Sequence, residues 1–345
     1  MSRSDSPEAA RSERERPVSA SHAGADRSAT SCLGFGCAGL MQVPSRGHRQ
    51  RLLADAFEQG IRHFDVARMY GLGAAERELG RFARGRREQI VVATKFGIEP
   101  AAVSGGLGRL QAPARAVIAR SPALRAAVKR RSDAFHRPHR YDLATLNASL
   151  ETSLRELGSE YVDILFVHGP QSDDIADIAE LSDALERLRG AGRVRAWGFA
   201  GDPEPCIALS GRVSLPTVLQ IRDDIFNGAL SRVEQSERVI TFGLLSGALK
   251  RILDHVTASV ERRSRWQAAI CADCGYPEAV ASLLLQDALD RNRTGTVVFS
   301  TTRPERITIA TGAVETLACE RDPAPLRAFR RLVSSELSTL VAVGG

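Results

Sequence analysis

Short apolar runs recur along the chain, and between them lie stretches whose apolar residues return every three or four positions. The first run is Cys32-Leu-Gly-Phe-Gly36, followed by a Gly39-Leu40-Met41 turn. Over residues 48–59, Leu52, Leu53, Ala56 and Phe57 share one helical face, and Gly60 stops it. Residues 61–65 form a second run, 74–83 a short helix, and 89–95 a third run. Leu146, Leu150, Leu154 and Leu157 mark a helix ended by Gly158, ahead of a fourth run at 161–168. Leu181, Leu185 and Leu188 mark another helix ending near Gly190. Runs at 194–200, 217–221, 238–242 and 295–299 bring the strands to eight.

Eight such units argue for an α/β protein built as a closed parallel (β/α)8 TIM barrel, a single domain over residues 31–345. An open doubly wound sheet is the alternative. No Gly-x-Gly-x-x-Gly follows the first strand to support it. Two segments break the pattern. Residues 1–30 are rich in Ser, Ala, Arg and Glu, with five arginines against five acids, and read as a disordered tail. Residues 100–141 interrupt the alternation with Gly105-Gly106, Pro113, Pro122 and Pro138, a loop insert in which 122–131 can form a basic helix.

Composition changes this picture little: 43% of the 345 residues are hydrophobic and 26% charged, enough for one large core. No apolar run approaches the roughly 18 residues of a membrane span, and no secretory signal opens the chain. A cytoplasmic protein without a membrane partner is expected. The formal charge of +6 raises the question of nucleic acid. Residues 101–140 carry nine Lys/Arg against one acid, Asp133, so the remainder of the chain is −2. Aromatic residues hardly interleave with those charges, so a nucleic-acid partner is not expected. Cys271-Ala-Asp-Cys274 has the spacing of half a zinc or redox site. No second pair or histidine cluster accompanies it, and no metal is expected.

The candidate chemistry lies at the ends of the predicted strands. Asp65, Lys95 and His168 each close one, and Tyr70 falls in the loop after Asp65. In a β/α barrel these ends share one mouth. A phenol is a weak acid, with a reference pKa near ~10. A neighbouring ammonium favours its ionised form and eases proton transfer, a carboxylate fixes that ammonium, and an imidazole orients the substrate oxygen. Lysine is scarce here, at Lys95, Lys129 and Lys250 alone, yet one of the three ends a core strand. Singly, Asp65 reads as a turn cap, Tyr70 as a loop aromatic, and His168 as a satisfied strand-end residue. Together they suit proton delivery to a carbonyl oxygen while hydride reaches carbon, which requires a cofactor.

The residues that carry this chemistry resemble the aldo-keto reductase superfamily over residues 31–320. The matching motifs are Phe64-Asp65-Val66-Ala67-Arg68-Met69-Tyr70-Gly71, Glu76-Arg-Glu-Leu-Gly80, Ala93-Thr94-Lys95-Phe96-Gly97 and Val162-Asp163-Ile-Leu-Phe-Val-His168. The resemblance implies the barrel fold, Tyr70 as general acid, and Asp65, Lys95 and His168 as its partners. It implies an extended nicotinamide dinucleotide, NADP(H) rather than NAD(H), and a small aldehyde, ketone or sugar as substrate. Gln220, at the end of the sixth strand, is then expected to hold the carboxamide, and Phe242 to stack on the nicotinamide ring. Gly36, Asp65, Leu244, Leu245, Ser246 and Ser300 join the cofactor-binding set, with Thr301 and Arg306 facing the 2′-phosphate.

The chain also departs from the family pattern. Ala200-Gly201 replaces Ser-Asn after the fifth strand, Ile309-Ala310 replaces Glu-Asn, and the loop at 243–247 is short. A basic insert closing over the mouth would favour an anionic substrate. The departures leave room for a rival reading, a cofactor-binding regulatory barrel with little turnover.

Overall fold

A computed structural model describes residues 31–100, 139–171, 173–213, 218–233, 238–320 and 323–337. The expected tail, and the interior of the insert with its helix at 122–131, lie outside them. Eight strands appear in chain order: β1 (Leu33–Gly36), β2 (His63–Asp65), β3 (Val91–Phe96), β4 (Val162–His168), β5 (Val194–Gly201), β6 (Val218–Arg222), β7 (Arg238–Phe242) and β8 (Thr296–Phe299). Each is parallel to the next, and β8 pairs with β1, so the sheet closes as a (β/α)8 barrel.

The two-residue period of a strand sorts its side chains between two cores. One parity, including Val91, Ala93, Ile164, Phe166, Ala200, Val218, Ile240 and Val298, packs as its own cluster in the barrel lumen. The other parity, including Phe64, Val92, Leu165, Val167, Phe199, Leu219 and Val297, joins the larger cluster under the helices. Continued to the strands' C-terminal ends, the lumen parity contains Asp65, Lys95, His168, Gln220, Arg222 and Phe242.

The helices among the described residues are α1 (Arg46–Glu58), α2 (Ala74–Ala83), α3 (Leu143–Leu157), α4 (Ile178–Gly190), α5 (Pro203–Ser210), α6 (Ala248–Thr257), α7 (Val260–Ile270), α8 (Pro277–Arg291), α9 (Glu305–Cys319) and α10 (Ala324–Leu337). Helix α3 shows why the sequence reads clearly here. Asp142 caps it by accepting from Thr145 N at 2.8 Å, and Gly158 ends it in the left-handed region at φ +63°. Its leucine stripe is buried, as the spacing predicts. Helix α2 packs so close to its end that a Cβ on Gly80 would overlap the carbonyls of Glu156 and Leu157. Among the described residues, no helix is long and apolar enough to cross a membrane.

The strand limits differ from the sequence expectation by small shifts with chemical consequences. The third strand runs to Phe96, so Lys95 is its penultimate residue, and the sixth runs to Arg222, which leaves Gln220 two residues inside it. The second starts at His63 rather than at residue 61. Polar residues at strand ends look like loop in a sequence; ladder pairing carries them into the sheet. The basic insert leaves and returns beside β3, where Arg140 N donates to Gly97 O at 3.0 Å.

Candidate active site

Asp65 ends β2, and the chain then turns across the mouth to Tyr70. The turn is held from below by a buried ion pair, with Arg68 Nη1 2.7 Å from Glu76 Oε2, while Thr94 donates to the other carboxylate oxygen at 2.8 Å. Glu76 is wholly buried and Arg68 nearly so. Beyond Tyr70, Gly71 and Leu72 both take φ near +57°, and a Cβ on Gly71 would strike Met41. Leucine at positive φ is costly, and it sits next to the phenol.

Lys95 reaches across from β3. Its ammonium forms an ion pair with Asp65 Oδ2 and donates to Val66 O at 3.1 Å. The same carboxylate oxygen accepts from Gln220 Nε2 at 2.8 Å, so β2, β3 and β6 meet at one atom. Lys95 Nζ stands 5.4 Å from the centre of the Tyr70 ring. The His168 ring lies edge-on to that ring at 6.2 Å, with an interplanar angle of 88°. Tyr141, just past the insert, donates to His168 O at 2.7 Å and fixes the end of β4.

The electrostatics correct one expectation. The sequence predicts that Lys95 lowers the pKa of Tyr70. In the folded chain the phenol is pushed upward, first by burial and then by the negative charge of Asp65, with Cys37 adding to it. Asp65 absorbs the lysine's charge, so Tyr70 stays a protonated donor. His168 is pushed down to about 3 by burial, then by the charges of Lys95 and His139, so its ring is neutral. Its Nδ1 is buried with no hydrogen-bond partner among the described residues.

These groups line a cavity of about 370 Å³ that also takes in Gly36, Gln220, Phe242, Leu244, Leu245, Ser246 and Ser300. Eleven of the thirteen sequence-predicted residues thus share one wall. Thr301 and Arg306 are not brought to it. The Thr301 hydroxyl accepts from Arg303 N at 3.0 Å and donates to Arg303 O at 3.2 Å, closing the turn before α9. Arg306 is exposed in the first turn of α9. Arg222, which the sequence leaves in a loop, does line the cavity. Its parity with Val218 and Gln220 is the signal that finds it.

The cavity suits the nicotinamide end of a dinucleotide. Gln220 Oε1 is buried and unpartnered among the described residues, because its amide nitrogen is engaged by Asp65; what it lacks is an N–H donor such as a carboxamide. Phe242 offers an aromatic ring at the end of β7, and residues 243–247 lead from it into α6. A Cβ on Gly36 would overlap Ser300 Oγ, so glycine keeps the wall open between β1 and β8. At β5 the match is poorer. A Cβ on Gly201 would already press on the Gly169 backbone, so no carboxamide-binding side chain fits there without a shift.

Comparison with known proteins gives a consistent picture. The model of the Aldo/keto reductase family matches residues 32–205, from β1 into α5, a span that holds Asp65, Tyr70, Lys95 and His168. A D-threo-aldose 1-dehydrogenase from a Pseudomonas species is 28% identical over 313 residues, 81% of this chain and 88% of that protein. A 6-dehydroglucose reductase from Agrobacterium fabrum is 33% identical over 159 residues, which is 45% of this chain and 44% of that protein. Among solved structures, a glycerol dehydrogenase from Gluconobacter oxydans superposes with a TM-score of 0.64 at 14% identity, covering 90% of this chain and 93% of that one. A Klebsiella pneumoniae aldo-keto reductase in complex with NADPH gives 0.57 at 19% identity, covering 86% and 92%. At these identities the structures speak to the fold alone.

Proposed function

The chain belongs to the aldo/keto reductase family, and on that premise we propose that it is an NADP(H)-dependent oxidoreductase that interconverts a carbonyl, of the sugar or small aldehyde or ketone class, with its alcohol. The reading rests above all on Lys95, held by Asp65 and Val66 O, lying 5.4 Å from the ring centre of Tyr70 at the wall of the cavity. The names of the two sugar-acting relatives favour a sugar or polyol as the substrate class.

In this reading the bound nicotinamide supplies or accepts the hydride. The carbonyl oxygen sits between the Tyr70 hydroxyl and the His168 ring, which face each other edge-on. A neutral imidazole protonated on its cavity-facing nitrogen donates to that oxygen and orients it. As negative charge builds on the oxygen, Tyr70 passes it the phenolic proton. The phenolate left behind meets the Lys95 ammonium, which the Asp65 carboxylate holds in place. For the alcohol the proton returns by the same route. Gln220 and Phe242 would hold the nicotinamide, and Gly36, Ser246 and Ser300, which line the same cavity, would take the neighbouring part of the dinucleotide. Arg306, exposed at the head of α9, offers a guanidinium to a 2′-phosphate, which supports NADP over NAD.

The test is carbonyl-dependent oxidation of NADPH over a panel of sugars, aldehydes and ketones, with Tyr70→Phe as control. Turnover abolished in the variant is expected. NADPH binding without turnover of any panel member by the wild-type chain would instead give the regulatory-barrel reading.

A further inference from the structure

Arg222 has no part in the proton path, yet it is the last residue of β6 on the lumen parity, one step above Gln220. Its guanidinium carbon lies 5.4 Å from the centre of the Phe242 ring. Gly243, at φ +84°, follows that ring, and a Cβ there would be drawn into close contact with the arginine stem. Glycine at 243 therefore leaves room for Arg222 to lie across the β6–β7 rim. The backbone beyond it is firmly held: Asp223 N donates to Phe242 O at 2.9 Å, and the buried Asp223 carboxylate accepts from Leu230 N at 3.1 Å and pairs with Arg291.

The charge balance at this rim is uneven. Among the described residues lining the cavity, the ionised groups are Asp65, Lys95 and Arg222. Asp65 and Lys95 neutralise each other. Among the described residues, Arg222 pairs with Asp202 at 3.9 Å, an acid itself largely exposed, and the separation is too long for a hydrogen bond. The guanidinium is thus half-exposed at the cavity wall, packed over Phe242 and only loosely paired with Asp202.

We propose that Arg222 is the anion-binding residue of this cavity, taking a carboxylate or phosphate oxyanion carried by the carbonyl substrate or by the diphosphate of the dinucleotide. An arginine fork suits either group, because two parallel N–H donors match two oxygens. A ligand oxyanion displaces the loose contact with Asp202 and leaves the Phe242 packing in place. The inference rests on the reductase reading for the identity of the ligand, not for the chemistry of the subsite.

The experiment compares wild type, Arg222→Gln and Arg222→Lys in three measurements. KM is determined for 4-carboxybenzaldehyde and for 4-methylbenzaldehyde, the Kd of NADPH by fluorescence titration, and the affinity of inorganic diphosphate by calorimetry on the apoprotein. If the substrate brings the anion, Arg222→Gln raises KM for the carboxylated aldehyde about tenfold relative to the methylated one, with NADPH affinity unchanged. If the dinucleotide brings it, the Kd of NADPH rises about tenfold and the two aldehydes shift together. Arg222→Lys retains part of the effect in either case. Unchanged ratios and unchanged NADPH affinity overturn the proposal. Should the wild type neither turn over nor bind NADPH, the reductase reading fails by itself. Diphosphate binding lost in Arg222→Gln then still supports the subsite, and equal or absent binding in both proteins overturns it.

Discussion

Lys95 is paired with the Asp65 carboxylate across the β2–β3 boundary, and that pair, rather than a lone ammonium, is what Tyr70 faces. Burial first, and then the negative charge of Asp65, keep the resting phenol protonated. A phenolate, once formed, is attracted by the Lys95 ammonium, whose nitrogen lies 5.4 Å from the ring centre. The pair holds the proton on Tyr70 until the substrate needs it.

Tyr70→Phe removes the proton and little else. Among the described residues its hydroxyl has no hydrogen-bond partner whose loss would unfold the turn, which is held by Arg68 and Glu76. The expected result is a fall in kcat of roughly 10²- to 10⁴-fold, the usual range for one general acid, with the Kd of NADPH within about twofold. Stopped-flow turnover and fluorescence titration measure the two. A matching loss of NADPH affinity would mean that Tyr70 is a binding residue and not the acid.

The Asp65–Lys95 pair is buried, with both residues under 5% exposed. Removing one partner strands the other charge, at a cost of about 3–5 kcal/mol. Asp65→Asn and Lys95→Met are each expected to lower the urea midpoint strongly, and the double variant to recover part of that loss. Activity is not expected to return in the double variant, since no ammonium is left for the phenolate. Additive losses in the double-mutant cycle would show that the two side chains do not interact.

His168 gives a signed pH dependence. Its folded pKa is held near 3 by burial and by the charges of Lys95 and His139, against 6.5 when unfolded. Between those values the unfolded chain binds a proton that the folded one refuses, so stability falls as pH drops through that window. The slope from this group approaches about 1.4 kcal/mol per pH unit. His168→Asn should flatten the urea-midpoint profile between pH 6.5 and the acid limit by that amount. The same neutrality predicts no inflection in kcat near the ordinary histidine pKa, and a clear one there would place a charged imidazole in the mechanism.

Much of this was legible in the chain because two periodicities were clean. The eight apolar runs gave the barrel, and once it is closed the two-residue alternation assigns Asp65, Lys95 and Gln220 to the lumen. What escaped were effects that depend on partners far away in sequence. Arg222 reads as loop because nothing local says that β6 continues past residue 221. Tyr141 reads as the exit of an insert, and its bond to His168 O crosses to another strand. Thr301 looks available to a phosphate until the Arg303 backbone claims its hydroxyl. The pKa direction of Tyr70 depends first on burial and then on the charge of Asp65, which residue identity alone does not rank.

Arg68 and Glu76 are expected to act on catalysis without touching the substrate. Glu76 is completely buried and accepts from Arg68 at one oxygen and from Thr94 at the other, so it ties α2 and β3 to the turn that carries Tyr70. Arg68→Met leaves that carboxylate with Thr94 and no compensating charge, a loss of about 3–5 kcal/mol by the cost of breaking a buried pair. Because the pair lies under the turn, a part of the lost rigidity falls on the phenol, and misplacing a catalytic group by about 1 Å is enough to cost on the order of 10²-fold in rate. Arg68→Met should therefore lower both Tm and kcat, while KM changes less than kcat. Combining it with Glu76→Gln removes the stranded charge and should restore Tm more fully than kcat. A double variant that regains both together would assign the pair to stability alone; one that regains Tm but not kcat shows that the ion pair sets the position of Tyr70.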